Sequence, residues 1–192
     1  MTATVTLDEV WRLFKASDEK MARMSEEAAR NREEAARDRK ETEAALRDLS
    51  RRMGRLGNQL GEFAEGMVAP AARRLFTARG IPVHVVARNV EGERDGRAVE
   101  IDILVVNGEH VMAIEVKTRP RVEHVDEHLE RLAAFKAVFP EYRERVLLGA
   151  IAGLTVDDNV ARYAYRRGLF VLGQSGETVT ILNDEAFQPR EW

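Results

Sequence analysis

The spacing of apolar residues changes along the chain, and each change marks a different kind of element. Leu7, Val10, Trp11 and Phe14 fall on one helical face, and Thr6 with Glu9 has the spacing of a capping box. A short helix that shows a Trp and a Phe must dock them, and another copy of the chain is the simplest partner. From Ser17 to Leu60 there is no proline, and no glycine before Gly54. Two near-identical heptads, Glu26–Arg32 and Glu33–Arg39, each place a glutamate four residues before an arginine, which favours a helix. Met21, Met24, Ala28 and Ala35 begin an apolar seam that Asn31 and Asp38 interrupt. Leu46, Leu49, Met53, Leu56, Leu60 and Phe63 then keep a four-three spacing. This predicts a coiled-coil arm, open in its middle and tighter toward its end, through which the chain forms a homo-oligomer.

Beyond the arm the period shortens. A helix is expected from Gly57 to Arg79, stopped by Gly80 and Pro82 and kinked or broken at Pro70. Val83–Arg88 reads as a strand and Glu91–Gly96 as a polar turn. Val99–Val106 and His110–Lys117 read as strands about Asn107-Gly108, a dipeptide that favours a two-residue hairpin turn. A helix from Val122 to Phe139 and a strand from Arg145 to Ala152 follow. A second helix, capped by Thr155 and Asp158, ends at Gly168, before strands at Leu169–Gly173 and Thr178–Leu182. The expected fold class is α/β, with a central mixed sheet flanked by helices. The expected division is an arm over 1–56 and a domain over 57–192.

Composition narrows the classes. A length of 192 residues suits one domain plus an extended segment. There is no cysteine, which excludes disulfides, thiolate metal sites and cysteine nucleophiles. No apolar run approaches the roughly 18 residues of a membrane span. The stretch Met1–Glu9 lacks the basic end and apolar core of a signal peptide, so a cytoplasmic protein is expected. A net charge of −3 weighs against wrapping nucleic acid by bulk charge, but not against one local basic groove.

The chemistry sits in Glu100-Ile-Asp102 and Glu115-Val-Lys117, charged residues inside apolar strands. Side chains alternate along a strand, so Glu115 and Lys117 share a face. A two-residue turn at Asn107-Gly108 would set Glu100 opposite Glu115 and Asp102 opposite Ala113, with all four charged groups on one face. Gathered carboxylates repel unless a cation offsets them, and oxygen donors suit Mg²⁺ or Mn²⁺. An adjacent ammonium could position or deprotonate a water, and metal-assisted phosphodiester hydrolysis uses such a set. The same alternation also describes an ordinary antiparallel strand with one wet face.

Asp102, followed thirteen positions on by Glu115-Val-Lys117, after a Glu-bearing helix, resembles the PD-(D/E)XK nuclease superfamily. Gly61-Glu-Phe-Ala-Glu65 is similar to the first-helix motif of its Holliday-junction-resolvase-like branches. The resemblance covers Gly61 to about Leu172 and departs from the pattern at Ile101, where a proline would stand. It implies a restriction-endonuclease-like core and a nuclease acting on nucleic acid, with DNA the favoured substrate and RNA left open. Asp102, Glu115 and the Val116 carbonyl would then hold Mg²⁺ or Mn²⁺, Lys117 would orient the water, and Glu65 would bind directly or through water. Glu62 and Glu100 remain alternatives for that auxiliary carboxylate. The rival expectation is a nuclease-like module that binds nucleic acid or a partner without cutting.

Other residues are weaker candidates. Arg119, just past Lys117, is the preferred phosphate contact, ahead of Arg121 and the pairs Arg73-Arg74 and Arg166-Arg167. His124 and His128 are four apart on a helix, a spacing that can clasp a metal, but a solvated helix face is favoured. Tyr163 and Tyr165 suit packing better than base stacking.

Overall fold

The computed structural model describes residues 7–176 and 178–192. The chain divides into two compact units, Met1–Arg55 and Leu56–Trp192. One helix, α1 (Leu7–Ala78), supplies every described residue of the first unit and continues into the second. The expected short opening helix is therefore part of a longer one, and Thr6 of its capping box lies outside the described residues. In the first unit, Glu33 with Arg37 (2.8 Å) and Asp48 with Arg52 (2.7 Å) form exposed ion pairs four residues apart. Trp11, Phe14, Leu46 and Leu49 are exposed there.

Pro70 lies inside α1 and does not end it. The carbonyl that Pro70 leaves without a donor belongs to Gly66, four residues earlier, and both residues face water. Val68, Ala69 and Ala72 are buried on either side, so packing carries the helix across the missing bond.

The second unit is built on one six-stranded mixed sheet in sequence order. Strands β1 (Val85–Arg94), β2 (Arg97–Val106) and β3 (His110–Lys117) form an antiparallel meander. Strands β4 (Val146–Gly153) and β5 (Phe170–Ser175) continue parallel to β3, and β6 (Thr178–Ile181) closes antiparallel to β5. The two parallel steps need crossovers, which are α2 (Val122–Val138) and α3 (Asp158–Arg166). Alternation splits the core into two layers. Ile103, Val105, Ile114 and Val116 pack on the α1 side. Leu104, Ala113, Leu147 and Ile151 pack on the side of α2 and α3. Among the described residues no helix is long and apolar enough to cross a membrane.

Three local expectations change. Strand β1 runs through most of the expected polar turn, which shrinks to Asp95 and Gly96 at φ 52° and 73°. That pair suits a two-residue turn, and the charged Glu91, Glu93 and Arg94 are tolerated because β1 is an edge strand. The β2–β3 connection is three residues, 107–109, not two, and Val106 pairs with Val111 across it. Asn107 organises it: its Oδ1 accepts from Glu109 N at 2.8 Å and His110 N at 2.5 Å, while its Nδ2 donates to the Pro82 carbonyl at 2.6 Å. Helix α3 takes Asp157, rather than Thr155, as its N-cap residue.

Helix α2 lies close on the sheet because Gly149 of β4 has no side chain. A Cβ there would stand 2.5 Å from side-chain atoms of both Leu132 and Leu169. His128, expected on a solvated face, is fully buried beneath α2, and its Nε2–H donates to the Ala113 carbonyl at 3.1 Å. A carbonyl only accepts, so the proton sits on Nε2, and Nδ1 is buried with no partner among the described residues. Burial, opposed by the Glu115 charge, pushes the His128 imidazole down to about 4. His124 stands at the helix start, where its Nδ1 accepts from Arg121 N at 3.0 Å.

Two outcomes are expected in urea unfolding. Leu132→Ala should cost about 2–5 kcal/mol and Gly149→Ala about 1–3 kcal/mol. The double variant should cost less than the two together, since the new methyl enters the space the leucine vacates. The second outcome concerns pH. The unfolded His128 takes up a proton below about 6.5, and the folded one only near 4, so stability falls as pH drops through that window. Between pH 7 and pH 4 the wild type should lose about 3 kcal/mol more than His128→Gln, which keeps a donor for Ala113 but cannot titrate.

Candidate active site

Glu115 and Lys117 end β3 on the side facing α2, and the 107–109 connection sets the register of β2 beside them. Ile103 pairs with Ile114, so the same register carried one step further puts Asp102 beside Glu115. The sequence expectation of Glu100 opposite Glu115 is thus corrected by two residues. A shift of two leaves every side chain on its original face, which is why Asp102, Glu115 and Lys117 still meet.

Strand β2 changes phase at this point. Val99 and Ile101 belong to the layer under α2, whereas Ile103 and Val105 belong to the layer under α1. Asn89, with φ 51°, occupies the register position facing Asp102, the one pair missing from the β1–β2 ladder. The register is equal on both sides of the gap, so this is a kink without an inserted residue. Asp102 therefore stands where both layers can reach it. Glu100, expected on the same face, falls between two residues buried against α2 and is exposed at the rim.

The contacts are close. Lys117 Nζ lies 2.5 Å from Glu115 Oε1 and 3.7 Å from Asp102 Oδ2. Asp102 Oδ2 also accepts from the Val116 N–H at 2.7 Å. Glu115 has no exposed surface, and Arg131 of α2 binds it from the other side: Nη1 donates to Oε2 at 2.5 Å and Nη2 to Oε1 at 3.3 Å. Glu65 of α1 pairs with Arg88 of β1 at 3.0 Å and is near enough to act on Asp102. Glu62 is exposed on the same helix.

Charge states follow from these contacts. Burial and the adjacent Glu115 charge hold the Asp102 carboxyl above its usual range, with Glu65 adding to the rise, and the Val116 N–H and Lys117 only partly offset them. Burial alone would push Glu115 up as well, but the Lys117 hydrogen bond and the charges of Lys117 and Arg131 bring it below the usual range. Burial works against the Lys117 ammonium, yet Glu115 and Asp102 outweigh it and raise Lys117. Lys117 is therefore a charged donor at rest and not a base.

Asp102, Lys117 and Arg131 open onto a cleft of about 830 Å³, whereas Glu115 is buried and does not line it. Glu91, Glu93, Glu100, Asp102 and Glu127 line it against two cations, Lys117 and Arg131. Such a lining repels a polyanion unless a further cation enters. Among the described residues no three His, Asp or Glu side chains are gathered closely enough to enclose an ion by themselves. A hydrated Mg²⁺ does not need three, because it keeps several waters and takes one or two carboxylates plus substrate oxygens. The hard-oxygen pair of Asp102 and Glu115, both beside Lys117, fits that requirement.

The remaining candidates do other things. Arg119 is exposed and forms a double hydrogen bond with Asp157, at 3.0 Å from Nη2 to Oδ1 and 3.2 Å from Nε to Oδ2. Arg73 donates to the Val83 carbonyl and Arg74 to the Val179 carbonyl, so both tie α1 to the sheet. Tyr163 donates to Asp126 at 2.6 Å and Tyr165 to Asp184 at 3.2 Å. Arg131 was missed in the sequence. It sits sixteen residues past Glu115, and only its place on the α2 stripe beside His128 and Leu132 could have pointed to it.

No protein-family model and no curated protein sequence matches the chain. Two solved structures overlap it in part. One, a repair endonuclease from Pyrococcus abyssi, is 16% identical with a TM-score of 0.39, over 56% of this chain and 45% of its own. This chain thus spans less than half of that protein's length. The other, the small subunit of a heterodimeric restriction endonuclease, is 15% identical with a TM-score of 0.34, over 60% of this chain and 72% of its own. Overlap at this level assigns neither a family nor an activity.

Proposed function

We propose that the chain is a metal-dependent nuclease of the PD-(D/E)XK type, with a restriction-endonuclease-like core, acting as an endonuclease on DNA. The supporting observation is the meeting of two carboxylates and one ammonium: Lys117 Nζ stands 2.5 Å from Glu115 and 3.7 Å from Asp102. Asp102, Glu115 and the Val116 carbonyl would hold Mg²⁺ or Mn²⁺, and Glu65 would join directly or through water. The bound ion would supply Lewis-acid polarisation of a phosphoryl oxygen and a more acidic water.

The chain's own groups account for the rest. Lys117, kept protonated by its two carboxylates, donates to the water or to a phosphate oxygen and stabilises the charge of the pentavalent phosphate. Asp102 is held in place by the Val116 N–H, which leaves its second oxygen for the cleft. Arg119 would meet the substrate backbone after leaving Asp157, an exposed pair that is weakly held. Self-association through α1 belongs to the same proposal, because Leu46, Leu49 and Met53 form an exposed stripe at coiled-coil spacing. A cytoplasmic setting completes it.

Purified chain with Mg²⁺ or Mn²⁺ should cut linear, supercoiled or branched DNA, with RNA run in parallel as the alternative substrate. Asp102→Ala and Lys117→Ala should each reduce cutting by about 10²-fold or more. DNA binding without cutting under either ion would replace the proposal with a non-catalytic binding module. Residual cutting shared by both variants and independent of metal would mark a contaminant. In sedimentation the wild type should exceed the monomer mass, and Leu46→Lys with Leu49→Lys should return it to a monomer with unchanged helicity. A monomeric wild type at micromolar concentration removes the self-association.

A further inference from the structure

Arg131 touches two carboxylates at once. One is Glu115, where its guanidinium covers both carboxylate oxygens, at 2.5 and 3.3 Å. The other is Glu127, one turn back on α2, at 3.7 Å from Nη2. The two differ in kind. Glu115 is fully buried, whereas the Glu127 side chain is 59% exposed and lines the cleft. Arg131 itself keeps 24% of its side chain exposed and lines the same cleft, so the guanidinium can leave Glu115 without entering the core.

The charge count at Glu115 makes one of these two contacts the costlier one for a cation. Lys117 on Oε1 and Arg131 on Oε2 already supply two positive charges to one carboxylate. A divalent ion arriving at Asp102 and Glu115 needs an oxygen that Arg131 holds, and it is repelled by the same guanidinium. We propose that Arg131 is a positioning residue that competes with the divalent ion for Glu115 and retires to Glu127, on the cleft wall, when the ion binds. In the ion-free state it keeps the buried carboxylate neutralised, which avoids the cost of an unpaired interior charge. In the ion-bound state it stands beside the phosphodiester as a planar donor suited to phosphate oxygens. This inference rests on the metal-dependent reading of the same site.

The test is Mn²⁺ binding to the full chain by titration calorimetry, without nucleic acid. Arg131→Met removes the competitor while Lys117 still neutralises Glu115, and it should bind Mn²⁺ about tenfold tighter than the wild type. Glu127→Gln removes the exposed docking point and should weaken binding a few-fold. Arg131→Lys, which keeps the charge but loses the two-oxygen grip, should also bind more tightly than the wild type, whereas a through-space charge effect alone would leave it at the wild-type value. Asp102→Ala should abolish binding in either background. If the wild type binds through Asp102 but Arg131→Met binds equally or more weakly, the competition is refuted and the metal site stands. If neither the wild type nor Arg131→Met binds Mn²⁺, the metal-dependent reading falls and takes the competition with it. Should Arg131→Met fail to fold by circular dichroism, Arg131→Lys decides, and binding there no tighter than the wild type's overturns the proposal.

Discussion

A carboxylate with no exposed surface stays ionised only if cations touch it, and Glu115 is touched by two. Lys117 reaches it along its own strand and Arg131 reaches it from α2. The rest of the site depends on this balance. Remove the cations and Glu115 would take up a proton, since burial alone drives it that way. The same contacts keep the Lys117 ammonium charged. They also brace α2 against β3 at the place where His128 binds the Ala113 carbonyl. Helix position, charge state and the shape of the cleft floor are thus coupled through one side chain.

Asp102 is governed by a different constraint. It lies at the point where β2 passes its apolar residues from the layer under α2 to the layer under α1. An ordinary strand serves its two faces in strict alternation, and a charged residue in it belongs to one layer. The kink opposite Asn89 relaxes that rule at a single residue. Asp102 can consequently feel Glu115 and Lys117 from β3 and Glu65 from α1. Its raised proton affinity comes first from burial and then from the Glu115 charge, with Glu65 adding to it.

The two units obey different physics. The second gains its stability from apolar layers packed on both faces of a sheet. The described part of the first is one exposed helix, laced by pairs such as Glu33 with Arg37 and lacking a core of its own. Leu46, Leu49 and Met53 stay exposed along it.

Much of this was legible along the chain because local periodicity reports local structure. The strands holding Asp102, Glu115 and Lys117 were recognisable from alternation, and a register error of two residues at the hairpin did no harm because a pleat repeats every two. The α/β order of elements and the long charged helix followed from spacing alone. Other features were not local. Pro70 sits in an unbroken helix because buried neighbours on both sides hold it there. His128 is buried rather than solvated because Gly149 lets α2 settle onto the sheet. Arg131 meets Glu115 only after a strand, a turn and a helix have folded back on one another. The sequence by itself determined which residues alternate, which helices carry stripes and which charged groups share a strand face, since each depends on neighbours a few positions away. Only the tertiary structure decided which charges neutralise one another in the interior, because that depends on distances between segments that no periodicity encodes.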